Sequence, residues 1–210
     1  MIKEKISNKE LKRLIAFKSG KIDFEEVTEE DIMCIRDISL SSRLINGAES
    51  GIDLEVLKYF FSLERVRISN FEITNDVIQM LSELECLDTI EIVGCTFKDV
   101  DFTKLNGKLK RISFSKCEEL PFKYPDVRDI CVIKSNIDFT NIDFTNVQNV
   151  FIQSSTIRNA HSLDDFCEIK KVNLDGTKLY DENGEEIKDI QVAEKTGYSH
   201  EEDVMLLDVR

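Results

Sequence analysis

The sequence predicts an α/β solenoid: parallel strands stacked into a concave sheet, a helical or irregular convex side, and a helical cap at each end. Three observations predict it. An apolar pattern recurs at steps of roughly 20 residues. Both ends carry helix-start signals in place of that pattern. The 210 residues include only two prolines and eight glycines, so no flexible linker divides them. Hydrophobic residues make up 41%, enough for one sizeable core and too many for wholesale disorder. The expected organisation is a helical cap over 1–34, about seven repeats over 35–180 and an acidic cap over 181–210.

Each repeat follows one template: apolar, two variable, apolar, one variable, apolar, two variable, small or polar, one variable, apolar. Leu87, Ile90, Ile92, Cys95 and Phe97 fill every slot. Leu63, Val66, Ile68 and Ile73 fit, with Phe71 in the small slot. Leu109, Ile112, Phe114 and Cys117 fit, and the last apolar residue slips to Leu120. Three further copies start at Val127, Val147 and Ile169, with Ser135, Ser155 and Thr177 in the small slot. Ile35, Ile38 and Leu40 begin a weaker first copy, with Arg43 in that slot. The starts are separated by 28, 24, 22, 18, 20 and 22 residues. The apolar, variable, apolar centre is a short strand of period two, with one face in the core and the other in solvent.

This pattern resembles the leucine-rich-repeat family from about Ile35 to Leu179, in its short bacterial form. The resemblance implies a parallel sheet lining a curved solenoid. It also implies a small-slot ladder in which Asn or Cys side chains satisfy backbone groups where the chain turns. No copy here has Asn, and hydroxyls and thiols can serve in its place. Cys95 and Cys117 are therefore expected to be ladder residues rather than metal ligands. Function is left open, because the family hosts receptors, inhibitors, adaptors and regulators.

Ser7 to Glu10 reads as a capping box opening a helix to about Phe17, and Thr28 to Asp31 as a second one. Asp53–Phe61 and Thr74–Leu84 have helical periodicity and belong on the convex side. Ser199 to Glu202 is a further capping box, starting a helix to about Asp208. From Phe97 to Val147 the convex side is expected to be extended or turn-like. Ile137, Phe139, Ile142 and Phe144 there alternate in a five-residue repeat similar to that of pentapeptide-repeat proteins, which include acidic DNA mimics. Phe97 and Phe102 are also five residues apart. Only two tandem units are clean, against six copies of the longer repeat.

The net charge is −13, and ten acids against three bases fall in 181–210. So acidic a chain is a poor general binder of nucleic acid, which needs clustered Lys and Arg. The N-terminus is charged from the start and lacks the apolar core of a signal peptide. No apolar stretch spans a bilayer. Six dispersed cysteines without a CxxC pair suit reduced thiols, and a cytoplasmic location is expected. A composition rich in Ile, Lys, Asn and Asp suggests an AT-rich bacterium or its phage.

Chemistry-bearing motifs are missing. The two histidines, His161 and His200, neighbour no recognisable nucleophile. Gly47 to Gly51 lacks the Lys-Ser/Thr of a phosphate loop. Asp181, Asn183 and Glu185 read as a polar turn rather than a calcium loop. No catalytic residue, cofactor or metal is expected, and the chain is read as a non-enzyme.

The variable slots of the repeats hold ten bases against six acids, a local excess of +4. The bases are Arg36, Arg65, Arg67, Lys110, Arg111, Lys116, Arg128, Lys134, Lys170 and Lys171. Val93, Cys131, Ile133 and Phe151 are apolar where polar residues belong. Exposed apolar residues ringed by cations have the composition of an interface hot spot. The expected partner-binding set is Arg65, Arg67, Val93, Lys110, Arg111, Arg128, Cys131, Ile133, Lys134, Phe151, Lys170 and Lys171, with Phe151 and Ile133 as anchors. The expected function is a monomeric protein-interaction module (adaptor, inhibitor or immunity-type protein) holding an acidic protein partner. The alternative is an acidic nucleic-acid mimic.

Overall fold

The computed structural model describes residues 2–42, 54–105, 107–118, 120, 126–141, 146–160 and 169–187. Its elements in chain order are α1 (Ile2–Lys5), α2 (Lys9–Lys18), α3 (Glu29–Met33), β1 (Asp37–Ser41), β2 (Arg65–Ser69), β3 (Glu72–Thr74), α4 (Asn75–Glu83), β4 (Thr89–Val93), β5 (Thr96–Lys98), β6 (Arg111–Ser115), β7 (Asp129–Ile133), β8 (Asn136–Asp138), β9 (Asn149–Gln153), β10 (Thr156–Arg158), β11 (Lys171–Asn173) and β12 (Lys178–Leu179). Short 3₁₀ segments lie at Phe24–Glu26, Leu54–Tyr59, Phe102–Leu105 and Phe139–Asn141.

The repeats form a seven-stranded parallel sheet in the order β1-β2-β4-β6-β7-β9-β11. Every pair is in register on equivalent template slots, from Ile38↔Val66 through Ile90↔Ile112 to Val150↔Val172. The apolar slots of these strands point into one core, and all but Val172 are buried. In five of the repeats the last apolar slot sits on a second short strand beyond the turn, which the template had placed in no element. Ile73 lies in β3, Phe97 in β5, Ile137 in β8, Ile157 in β10 and Leu179 in β12. These pair as β3-β5 and as β12-β10-β8.

The N-terminal helix begins one residue later than the capping box implied. Asn8 is the cap, its side chain accepting from the Leu11 amide at 3.0 Å. The third helical residue is then Leu11, which cannot bond back, and Glu10 pairs with Arg13 at 2.9 Å. At α3 the box forms as read: Thr28 Oγ1 accepts from the Asp31 amide, and Asp31 accepts from the Thr28 amide at 2.8 Å. A feature invisible in the sequence links the two ends of this region. Glu29 accepts from the amides of Ile2 and Lys3 at 2.8 and 2.9 Å, capping α1 from 27 residues away. Lys18 bonds Asp37, fastening α2 to the first strand.

The convex side follows its periodicity in part. α4 occupies the expected place, with Ile78 and Leu81 buried. Leu54–Tyr59 is 3₁₀ rather than α, two turns with Leu54, Val56 and Leu57 buried. Phe97 and Phe102 belong to an aromatic cluster with Phe114 of β6, all three rings edge-to-face at 5.6–6.1 Å. Their five-residue spacing thus serves the core, not a square helix. Arg43, Gly47–Gly51, Ile142, Phe144, His161, His200 and the helix expected at 199–208 lie outside the described residues.

Every long strand but β1 is followed by a left-handed residue at the eighth slot: Asn70, Gly94, Lys116, Lys134, Ser154 and Gly176, with φ between 50° and 62°. A Cβ on Gly94 would meet Asn70 Oδ1 at 2.9 Å, whereas one on Gly176 would meet nothing closer than 3.5 Å. Gly94→Ala is therefore expected to cost about 1–2 kcal/mol from backbone strain, plus the displacement of Asn70. Gly176→Ala is expected to cost only the strain, and Lys134→Gly to be neutral or stabilising by up to about 1 kcal/mol. Urea denaturation of the three variants checks the order.

Candidate interaction surface

The outward slots of the long sheet form three rows across the strands. The first runs Asp37, Arg65, Thr89, Arg111, Asp129, Asn149 and Lys171. The second runs Ser39, Arg67, Glu91, Ser113, Cys131, Phe151 and Asn173, and the third Ser41, Ser69, Val93, Ser115, Ile133 and Gln153. Parallel register makes Cys131 and Phe151 direct neighbours, with Ile133 beside them on β7. Val93 stands apart, across Ser115. Cys131, Phe151 and Val93 are partly exposed. Ile133 is only 8% exposed, which corrects its reading as an exposed anchor. Close neighbours at a spacing of roughly 4.8 Å bury a mid-sheet side chain even on the outer face.

Among the described residues, five of the ten bases of the positive stripe are paired with acids in place. Bases and acids pair across adjacent repeats: Arg36 with Glu64 at 3.4 Å, Arg67 with Glu91 at 3.7 Å, and Lys110 with Asp88 at 2.7 Å. Asp129, 5% exposed, is bracketed by Arg128 at 3.0 Å and Arg111 at 3.8 Å and accepts from Asn149 Nδ2. Its hydrogen bond and charge push the Arg128 guanidinium pKa above its ordinary value. Burial works against ionisation of Asp88, but hydrogen bonds from Lys110 and Thr89 hold its carboxyl below the usual range. Arg67 and Arg111 are thus cross-strand struts, and Arg128 is held by its chain neighbour Asp129, rather than being free rim charges. Lys170 lies 3.3 Å from Gln148 Oε1, and Lys171 sits in the first row. Arg65, Lys116 and Lys134 stand in no ion pair among the described residues. Lys116 shares the position of Lys134 and belongs with the site. The most exposed large apolar side chains are elsewhere: Phe17 (77%), Ile22 (90%) and Phe61 (57%) lie off the sheet.

The small slot forms the ladder. The Phe71 amide donates to Cys95 Sγ at 3.4 Å, the Cys117 amide to Ser135 Oγ at 3.1 Å, and the Ser135 amide to Ser155 Oγ at 3.2 Å. Each hydroxyl donates in turn to the carbonyl two residues back, Ser135 to Ile133 and Ser155 to Gln153. The Cys95 and Cys117 thiols face the carbonyls of Val93 and Ser115, and Thr177 bonds Ile152 O at 3.0 Å. Burial pushes the Cys95 thiol up and that of Cys117 up to about 11. Among the described residues no group of three or more His, Cys, Asp or Glu is placed to hold a metal ion. Asp181 accepts from the amides of Asn183 and Glu185 at 2.9 and 2.8 Å, which makes 181–185 a polar turn and lowers the Asp181 pKa.

No family model matches the chain, and no curated protein does. Solved structures do. An internalin C2 from Listeria monocytogenes is 14% identical over 87% of this chain and 90% of that one, with a TM-score of 0.50. A second internalin of the same species is 12% identical over 87% of this chain and 73% of that one, at a TM-score of 0.37. The fold is a leucine-rich-repeat solenoid. Identity this low speaks for the architecture alone, and the seven-stranded sheet is the concave lining of that solenoid. No helix among the described residues is long and apolar enough to cross a membrane.

The thiols separate by place. Cys34 and Cys86 are exposed, while Cys95 and Cys117 are buried in the ladder. At pH 8 iodoacetamide is expected to modify Cys34 and Cys86 of the folded chain and to spare Cys95 and Cys117, read by peptide mass spectrometry, because the buried pair stays protonated.

Proposed function

We propose that the chain is a non-enzymatic protein-interaction module of the cytoplasm, an adaptor, inhibitor or immunity-type protein, that holds its partner on the concave sheet. The observation that carries this reading is the registered Cys131–Phe151 pair, which with Ile133 beside it makes an apolar patch on a sheet face built, Val93 apart, of hydroxyls, amides and charges. An aromatic in the middle row of a largely polar face supplies the desolvated anchor of an interface, and the surrounding charges orient it. Repeat solenoids use extended concave surfaces for binding. Seven strands of about five residues span roughly 29 by 17 Å, or about 500 Å² in projection. A standard footprint of about 800 Å² per partner therefore takes in both edges of the sheet. The alternative, a nucleic-acid mimic acting through the acidic exterior, draws nothing from this face, where Asp88, Glu91 and Asp129 are tied to bases.

Proteins retained by the immobilised full chain from its host, identified by mass spectrometry and then purified, test the surface. Phe151→Ala and Arg65→Glu are each expected to weaken binding about tenfold or more, equivalent to about 1.4 kcal/mol. Ile22→Ala is expected to leave it unchanged. Binding that ignores the first two and fails in the third would move the interface to the N-terminal cap.

A further inference from the structure

Lys116 and Lys134 follow β6 and β7 directly, and the Lys116 amide donates to Ile133 O at 2.9 Å. The two residues are therefore stacked one strand spacing, about 4.8 Å, apart. Both are exposed, and both hold φ values of 56° and 50° in the left-handed region. Neither ammonium reaches a carboxylate among the described residues, whereas Arg36, Lys110 and Arg128 at the other edge are paired with acids and Lys170 there reaches Gln148.

Lysine does nothing for the fold at these positions. Its Cβ strains the left-handed turn. Two like charges on adjacent rungs repel. The equivalent turns use Asn70, Gly94, Ser154 and Gly176, without charge. A strained, uncompensated pair of cations points to an external counter-charge. The surrounding third row, Ser69, Val93, Ser115, Ile133 and Gln153, holds no acid, and Asp175, in the same slot of the last repeat, is engaged by Gln153 at 3.4 Å.

We propose that Lys116 and Lys134 receive the carboxylates of an acidic segment of a different protein, laid along the C-terminal edge of the sheet with an adjoining apolar side chain on Cys131 and Phe151. This rests on the protein-binding reading above and names the partner's chemistry. Charge complementarity also sets the register. The chain carries −13 overall, so an acidic partner is repelled from most of its surface and accepted at this edge.

The probe is a phage-displayed library of random dodecapeptides, panned on the full chain. Peptides rich in Asp and Glu are expected to be enriched. A selected peptide, synthesised and labelled, is expected to lose at least tenfold in affinity against the Lys116→Glu/Lys134→Glu double variant, measured by fluorescence anisotropy. The same loss is expected against Lys116→Gly/Lys134→Gly, whose melting temperature should hold or rise. Lys104→Glu, on the convex 3₁₀ turn, should change nothing. Selected peptides that are not acidic, or that bind the double variants as well as the parent, overturn the proposal. If those peptides still fail against Phe151→Ala, the sheet remains the interface and only the lysine assignment falls. If they ignore Phe151→Ala as well, both readings fall. Enrichment of no peptide, preferential binding of a single-stranded DNA oligonucleotide, or a dimer that the double variant turns into a monomer on size exclusion also overturns it.

Discussion

After every strand of the long sheet the chain must turn a corner, and the buried amides at that corner must find acceptors. The rest of the molecule depends on how this is met. A left-handed residue swings the backbone, and the next residue's small polar side chain receives an amide from the preceding repeat while binding a carbonyl of its own strand. Ser135 does both at once, accepting from Cys117 and donating to Ile133. An unmet buried amide costs on the order of 1–3 kcal/mol, so the ladder sets the stacking of repeats as firmly as the apolar slots do. A thiol is the weaker member of such a ladder, and burial that keeps Cys117 protonated is also what keeps it a donor.

Registered stacking has an electrostatic consequence. Equivalent slots come to lie one strand spacing apart, so a charge in one repeat meets the charge in the next. The chain answers with alternation: Arg67 against Glu91, Asp88 against Lys110, Arg111 against Asp129. The more exposed of these pairs, such as Lys110 with Asp88, contribute little to stability, commonly under about 1 kcal/mol each. Their larger effect is on the surface, because they pair off half of the bases and leave Lys116 and Lys134 stacked without an ion pair at the C-terminal edge. A partner meets a neutral, partly apolar floor with a cationic lip.

The fold was legible because the template repeats and each slot has one physical job. Val66, Ile90, Ile112, Ile130 and Val150 could be placed in the core from spacing alone, and the ladder roles of Cys95, Ser135 and Ser155 followed from their position after the strand. The second strands escaped notice because three residues around one apolar centre carry no period. The cap was read to within one residue, and the choice of Asn8 over Ser7 turned on which side chain has a helical amide within reach. The aromatic cluster was mistaken for a five-residue motif because Phe114, the ring that joins Phe97 to Phe102, lies in the following strand.

The candidate surface was legible only in outline. Sequence by itself determined the repeat, the direction of each side chain in the long strands, the ladder and the outward row that holds Phe151, since all of these follow from local periodicity. Tertiary structure decided which charges are spent. Whether Arg128 is a free cation or a held one depends on Asp129 at its side and Asn149 on the next strand; whether Lys134 is free depends on what does not lie across from it. Composition counts charges one by one, and electrostatics acts on pairs whose distance is set by stacking residues some 20 positions apart.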